Sequence, residues 1–153
     1  MPLNWSSGLK ESSRKWANEL LKVCGQSLYH EKQSKWGENL AANSGSGPWG
    51  AMKSTDEIMT RFVENEADKV WPQNAHFTAA LWRGTKYVGC WDAEKDMGDS
   101  KTCRVQVCRY SRAGNCDMHK FNDGGSKWWM DAVMQDSSNC GSECPPEGCH
   151  AGV

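Results

Sequence analysis

Apolar residues recur along the first half of the chain with spacings that are typical of amphipathic helices. Between residues 9 and 23 they follow the 3.6-residue helical period, with polar residues between them. This predicts a helix that ends at Gly25, in the usual position of a helix C-terminus. A second helix is predicted to begin at Ser54-Thr55-Asp56-Glu57, where a hydroxyl can cap and the acids lie at the positive end of the helix dipole. Pro72 would end this helix. Its buried stripe would comprise Ile58, Met59, Phe62, Val63, Ala67 and Val70.

Strand signals follow in the second half of the chain. Segments 78–82, 86–91 and 104–110 are rich in β-branched and aromatic residues and are predicted to be strands. Segment 95–101 is the expected hairpin loop, and segment 43–48 is predicted to be a flexible loop without periodicity. Helices followed by paired strands favour an α+β or sandwich architecture over a parallel βαβ repeat.

Length and charge exclude several classes of protein. A chain of 153 residues suits one domain with one substantial core. Eighteen Lys and Arg against nineteen Asp and Glu give a net charge of -1, so no overall positive field would attract nucleic acid. The longest apolar run, around residues 79–82, is far shorter than the roughly twenty residues of a membrane span. We therefore expect neither nucleic-acid binding nor a transmembrane segment.

The eight cysteines indicate disulfide bonds. Their number is even, they are scattered from Cys24 to Cys149, and no CxxC pair suggests a zinc ribbon or a thioredoxin-like site. Disulfides require an oxidising compartment, and secretion is therefore expected. The first residues of the chain show neither the charged nor the apolar region of a signal peptide, so we expect that such a signal has been removed or is missing from this chain.

Several short motifs follow one another in a specific order. They are His30 before Gly37-Glu38-Asn39-Leu40-Ala41, then His76-Phe77-Thr78 with Leu81-Trp82, Gly89-Cys90, and Val107-Cys108-Arg109-Tyr110 before Gly114-Asn115. In this order and at these spacings, residues 2–115 resemble the cysteine-rich secretory, antigen 5 and pathogenesis-related (CAP) superfamily.

The resemblance implies a fold and a domain division. The fold would be an α+β, three-layer α-β-α sandwich of the CAP type with an antiparallel central sheet. Residues 1–118 would form the CAP (SCP) domain, and residues 119–153 a Cys-rich C-terminal extension, a small lobe held by disulfides. The family ordinarily has a helix before the segment that Pro2-Leu3-Asn4-Trp5 resembles, and this helix is not part of the chain. We expect the remaining fold to be only marginally stable as a result.

The resemblance also implies a cleft lined by His30, Glu38, Glu66 and His76. Two imidazoles and two carboxylates suit zinc or another divalent cation, and they could polarise a water molecule for hydrolysis. With equal weight, the four residues could be a buried hydrogen-bonded network that holds the layers together. Nothing else in the sequence favours hydrolysis, since neither GxSxG nor HExxH occurs.

The third member of this tetrad has to be chosen between Glu64 and Glu66. With Glu66 in that role, the neighbouring positions of the helix that should be buried are Met59, Val63 and Val70. With Glu64 there, the same positions would carry Glu57, Arg61 and Asp68. Because charged side chains are rarely buried without partners, Glu66 is the better candidate.

By the same resemblance, Cys24 would pair with Cys103, and Cys90 with Cys108. The four others, Cys116, Cys140, Cys144 and Cys149, could then be joined in three ways. A zinc site formed by Cys140, Cys144, Cys149 and His150 is an alternative, although this spacing is not that of a standard zinc finger.

The tryptophans divide into two groups. We expect Trp5, Trp16, Trp36, Trp71 and Trp82 to pack in the core and between layers. Trp128 and Trp129 lie outside the matched domain, beside Met130 and Met134, and are expected to form an exposed apolar patch for a protein partner or a membrane surface.

The resemblance implies a secreted, non-enzymatic CAP-domain protein that binds a sterol or another lipid and acts in defence or extracellular signalling. Two alternatives stay open at this point. One is a zinc-dependent hydrolase that uses the four His and Glu residues, and the other is a protein-recognition module that uses Trp128 and Trp129.

Overall fold

The computed structural model describes residues 2–24 and 26–116, together with Met118, Trp129, Met130 and Val133. The strands are β1 (Asn4–Trp5), β2 (Gly37–Ser46), β3 (Tyr87–Gly98) and β4 (Lys101–Ser111). The helices are α1 (Ser7–Leu20), α2 (Thr55–Phe62) and α3 (Ala75–Leu81), and short 3-10 turns occupy Leu21–Val23, Gly47–Trp49 and Glu64–Glu66.

The strands form one four-stranded sheet in the order β1-β3-β4-β2. Strand β4 is antiparallel to both of its neighbours, whereas the short strand β1 is parallel to β3. The sheet is therefore mixed, although a purely antiparallel sheet was expected. Helix α1 packs its Ala17 and Leu20 on one face of the sheet. Helices α2 and α3 pack Ile58, Phe62 and Ala80 on the other face. The three-layer α-β-α sandwich is thus confirmed.

Helix α1 confirms the first helical prediction, and a 3-10 turn continues it to Val23. Its N-terminus is capped by Ser6, whose hydroxyl accepts a hydrogen bond from the Leu9 amide at 3.2 Å. The helix crosses β3 at Gly89, where a Cβ atom would lie 2.2 Å from the Lys10 nitrogen. Only glycine permits this close approach. Gly25, the predicted stop, lies outside the described residues.

Helix α2 begins as predicted but is shorter. Ser54 and Glu57 form a reciprocal capping box at its N-terminus. The helix ends at Phe62, and a 3-10 turn then directs Glu66 into the interior. Because the helical period stops at Phe62, the predicted stripe does not extend to Val70, which is exposed.

The strand predicted at residues 78–82 is wrong, because residues 78–81 belong to helix α3 and Trp82 caps its end. A short apolar run cannot be assigned to helix or strand by periodicity alone. Here Ala79 and Ala80 favour the helix, and its first turn is held from outside by the Glu66 carboxylate, which accepts from the His76 and Phe77 amides. That contact comes from a residue ten positions before His76 and has no local signal.

The loop predicted at residues 43–48 is also mostly wrong. Strand β2 continues to Ser46 and pairs with β4 along its whole length. A hydrogen bond of 2.8 Å from Gln106 Nε2 to Asn43 Oδ1 links the two strands where their local propensity is low. The hairpin between β3 and β4 is tighter than expected, since only Asp99 and Ser100 form its turn, both with positive φ.

The prediction that Trp129 belongs to an exposed apolar patch is wrong, because this residue is only 6% exposed. Its ring contacts Phe77 edge to face at 5.6 Å and shares a core cluster with Trp82, Met118 and Val133. Burial of the indole on the domain is more favourable than its exposure to water. Trp128 and Met134 lie outside the described residues.

In the part of the chain that the structure describes, no helix is both long enough and apolar enough to cross a membrane.

Candidate functional site: two histidine-carboxylate pairs

The first pair joins His30 to Glu38 at the start of strand β2. The Nδ1 atom of His30 lies 2.9 Å from Glu38 Oε1. The carboxylate of Glu38 is buried, with 4% of its side chain exposed, whereas the His30 ring is 67% exposed. The hydrogen bond to Glu38, aided by the charge of that carboxylate and opposed by desolvation, raises the pKa of His30 above its ordinary value of 6.5.

Arg109 holds the other side of the Glu38 carboxylate. Its Nε and Nη2 atoms donate to Glu38 Oε2 at 3.1 and 2.9 Å. Nη2 also donates to Glu31 Oε2, and Nη1 to the Ser12 hydroxyl, both at 2.5 Å. The guanidinium is almost fully buried on strand β4 and lies 6.0 Å from the centre of the Trp16 ring. Two carboxylates, a hydroxyl and an aromatic face thus offset the cost of removing the Arg109 charge from water.

The second pair joins His76 to Glu66 at the beginning of helix α3. His76 Nδ1 lies 2.7 Å from Glu66 Oε1. Glu66 Oε2 accepts from the backbone amides of His76 and Phe77 at 3.1 and 3.3 Å. The Phe62 ring of α2 packs against the imidazole with its centre 5.1 Å away. Glu66 therefore orients the ring and caps the helix that carries it.

Strand β2 connects the two pairs through consecutive residues. Glu38 serves His30, while the amide of Asn39 donates to the His76 carbonyl oxygen at 3.1 Å and to the Tyr110 hydroxyl at 2.9 Å. Successive side chains of a strand point to opposite faces of the sheet. The structure therefore places the four predicted residues as two separate His-Glu pairs, with Glu38 and Asn39 directed to opposite faces of the sheet.

This arrangement bears on the metal hypothesis. Both rings use Nδ1 for a carboxylate, which is the contact that orients Nε2 towards a metal in many sites. Within residues 2–24 and 26–116 and the four residues described beyond them, however, no group of three or more His, Cys, Asp or Glu side chains is placed to hold an ion. The chemistry of each pair fits a divalent cation, but the described set falls short of a closed ligand shell.

The sequence interpretation missed Arg109, Glu31 and Ser12 as members of the site. A signal was present for Arg109, which alternates in register with Val105 and Val107 on the buried face of a strand. An arginine at such a position requires an acidic partner. Its direct opposite in the sheet is Glu38.

The disulfides implied by the resemblance are present. Cys24 is bonded to Cys103 and ties the end of α1 to β4, and Cys90 is bonded to Cys108 between neighbouring strands. Cys116 is also disulfide-bonded. Cys140, Cys144 and Cys149 lie outside the described residues.

The structure describes two clefts, and neither of them is lined by His30, Glu38, Glu66 or His76. The larger, of about 370 Å³, is lined by charged and polar side chains and the Trp16 ring: Ser12, Lys15, Trp16, Glu19, Glu31 and Arg109. The smaller, of about 250 Å³, lies along helix α2 and is lined by Asp56, Met59, Thr60, Val63 and Glu64. Both clefts combine apolar and polar lining, since Trp16 contributes to the first and Met59 and Val63 to the second.

Residues 1–110 match the family described as "CAP: Cysteine-rich secretory protein family". The chain is 32% identical over 132 residues to "Repressed by EFG1 protein 1" of Candida albicans, a match that covers 86% of this chain and 46% of that protein. It is 29% identical over 126 residues to human cysteine-rich secretory protein 2, over 80% of this chain and 50% of the relative. Among solved structures, that of BmVAL-1 aligns with a TM-score of 0.57 at 25% identity, over 74% of this chain and 60% of that one.

The chain therefore belongs to the CAP family of cysteine-rich secretory and pathogenesis-related proteins. It spans about half the length of the curated relatives that it matches.

Proposed function

We propose that this CAP domain acts outside the cell as a non-enzymatic binding protein for a lipid such as a sterol, and that its two His-Glu pairs are structural. The observation that carries the non-enzymatic part of this proposal is that every oxygen of both carboxylates already has a partner within the protein. Each Glu38 and Glu66 oxygen accepts at least one hydrogen bond from the protein itself. A carboxylate occupied in this way is poorly placed to take a proton from a substrate.

The ligand site of this proposal is the cleft along helix α2. Met59 and Val63 are its apolar lining residues, and Asp56, Thr60 and Glu64 are its polar ones. Small-molecule sites commonly combine an apolar lining with a few polar groups that fix orientation. A volume of about 250 Å³ suits an acyl segment or one end of a sterol.

Secretion is supported by the disulfides Cys24–Cys103 and Cys90–Cys108, because such bonds persist in oxidising compartments. An extracellular place also agrees with a role in defence or signalling, which is part of the same proposal.

The test is binding of radiolabelled cholesterol and of a labelled fatty acid to the purified full chain. We expect Met59→Gln to weaken binding, while Met97→Gln, the same substitution at an exposed residue that does not line this cleft, leaves it nearly unchanged. His30→Gln and His76→Gln should bind as the wild type does, provided that their melting curves show an intact fold. Undiminished binding by Met59→Gln would remove the α2 cleft as the site, and no binding of either lipid would remove the proposal.

A zinc-dependent hydrolase is the second candidate, favoured by the Nδ1-carboxylate contact of both histidines. Zinc held there would raise the melting temperature near neutral pH and lose this effect in acid, because a protonated imidazole does not bind a metal. Zinc-dependent turnover that is abolished in His76→Ala would establish the enzyme. Equal zinc affinity in the wild type and in a His30→Ala, His76→Ala double variant would assign the pairs to structure.

A further inference from the structure

The segment before helix α1 contains an N-glycosylation sequon. The tripeptide Asn4-Trp5-Ser6 fits the pattern Asn-x-Ser/Thr with a residue other than proline in the middle, and the 153 residues contain no second match. Because so short a pattern also arises by chance, the place of Asn4 in the fold decides whether the match can be used. Glycans are carried by asparagines at the surface of secreted proteins.

The side chain of Asn4 is exposed and free of partners, although its backbone is held. Asn4 lies on strand β1, at one edge of the sheet. Its amide donates to the Lys86 carbonyl at 2.8 Å, and the Ser6 amide donates to the Val88 carbonyl at 2.9 Å. The side chain of Asn4 makes no hydrogen bond to any residue that the structure describes. A large substituent on its carboxamide therefore displaces none of these contacts.

The pairing of β1 with β3 shows on which side of the sheet such a substituent stands. Trp5 is paired with Val88, whose side chain packs on the cluster that contains Ile58 and Phe62 of helix α2. Successive side chains of a strand point to opposite faces, so Asn4 is directed away from that side. A glycan on Asn4 would thus stand at the edge of the sheet, on the face that does not carry helix α2.

The Ser6 hydroxyl indicates when the glycan can be added. A sequon requires a hydroxyl at its third position, which the transferase has to contact. In the folded protein Ser6 is fully buried, and its hydroxyl accepts from the Leu9 amide as the N-cap of helix α1. The hydroxyl is therefore withheld from an enzyme once the helix has formed. Transfer has to precede the folding of α1.

We propose that Asn4 is an N-glycosylation site that is modified before helix α1 folds. The Nδ2 atom of Asn4 forms a bond with C1 of the first sugar of a lipid-linked oligosaccharide. The bond between that carbon and the lipid pyrophosphate breaks, the pyrophosphate leaves with the electron pair, and Nδ2 loses one proton. Nothing is oxidised or reduced in this step.

The modification rests on the secretion that is part of the proposed function, because the transferase and its lipid-linked donor belong to the secretory pathway. The disulfides Cys24–Cys103 and Cys90–Cys108 fit the same route, since such bonds form in its oxidising compartment.

The test is export of the full chain from cultured human cells, with an added signal peptide that is removed on export. Peptide N-glycosidase F should lower the mass of the secreted wild type by that of one glycan and convert Asn4 to Asp in the tryptic peptide of residues 1–10. Asn4→Gln should be secreted without a glycan. The matched control is Asn18→Gln, at an exposed asparagine of α1 outside any sequon, which should lose the same mass as the wild type. A secreted wild type without a glycan on Asn4, or a glycan retained in Asn4→Gln, would overturn the proposal.

A second measurement addresses the order of transfer and folding. Unglycosylated wild type from the bacterial periplasm is offered to a purified oligosaccharyltransferase together with a lipid-linked oligosaccharide. We expect no transfer to the native protein but transfer to the same chain after reduction and alkylation, because the Ser6 hydroxyl is then accessible. Equal transfer to both forms would overturn the proposed order.

Lipid binding distinguishes a failure of this proposal from a failure of the proposed function. Because Asn4 faces away from α2, binding of cholesterol or of a fatty acid should be the same before and after removal of the glycan. A protein that is glycosylated on Asn4 and binds neither lipid would support the modification and remove the lipid site. A secreted protein that binds lipid and carries no glycan would overturn the modification alone.

Discussion

Glu38 and Asn39 are neighbours on strand β2 and hold the two histidines of the site from opposite faces of the sheet. Glu38 contacts the ring of His30, and Asn39 contacts the backbone of His76. A one-residue shift in the pairing of β2 with β4 would exchange these faces and break both contacts. The register Glu38↔Arg109 therefore positions both pairs at once.

The first prediction compares the two carboxylates that bind Arg109. Glu38→Gln should lower the free energy of unfolding by about 3 kcal/mol, because a neutral amide no longer balances the charge of the buried Arg109 guanidinium. Glu31→Gln should lower it by less than about 1 kcal/mol, since an exposed ion pair contributes little, and the Glu31 side chain is 38% exposed. Urea denaturation of both variants measures the difference. Equal losses would show that Arg109 does not depend on Glu38 in particular.

The second prediction concerns pH. The Glu38 hydrogen bond raises the pKa of His30 in the folded protein above 6.5. The pair's contribution to stability is therefore complete below that ordinary pKa and is lost as the pH rises through the raised value. Because the ring is mostly exposed, solvent screens the effect and we expect it to be small.

The measurement is the unfolding free energy of the wild type and His30→Gln between about pH 5 and about pH 8. The two proteins should differ most at the acidic end and converge towards the alkaline end. A difference that grows with pH would contradict the assigned direction. An NMR titration of the His30 ring gives the pKa independently.

The tetrad illustrates what the sequence could and could not predict. As expected, the structure has Glu66 against His76 while Glu64 is exposed. The helical burial pattern used for that choice is wrong, however, because the helix ends at Phe62 and Val70 is exposed. The network around Glu38 was not predicted, because its central residue, Arg109, lies 71 positions away. Helix α3 was mistaken for a strand since its cap is supplied by Glu66 from outside the segment. The family resemblance thus named the members of the tetrad, whereas local patterns did not predict the tertiary interactions that orient them.

The third prediction follows from the burial of Trp129. Trp129→Ala should lower the free energy of unfolding by about 3 to 5 kcal/mol, as expected for a large aromatic removed from a core. Met130→Ala is the control, because Met130 is the next residue and its side chain is substantially exposed. This substitution should change the free energy of unfolding by no more than about 0.5 kcal/mol. Thermal or urea unfolding checks both variants. A Trp129→Ala protein as stable as the control would return this tryptophan to the surface.

The fourth prediction is that all eight cysteines form disulfides. Mass spectrometry of the alkylated, non-reduced wild type should find no free thiol, and more than one alkylated cysteine would contradict a fully oxidised protein.

The last prediction compares the two disulfides that the structure describes. Cys24–Cys103 spans 79 residues and Cys90–Cys108 spans 18. Because closure of a longer loop removes more entropy from the unfolded chain, replacing the first pair by alanines should be more destabilising than replacing the second by about 1 kcal/mol. Denaturation of the two double variants measures this order. Both bonds join β4, one to the end of α1 and the other to β3, so a reversed order would mean that disrupted packing around Cys90 and Cys108 in the folded state outweighs the entropy of the unfolded chain.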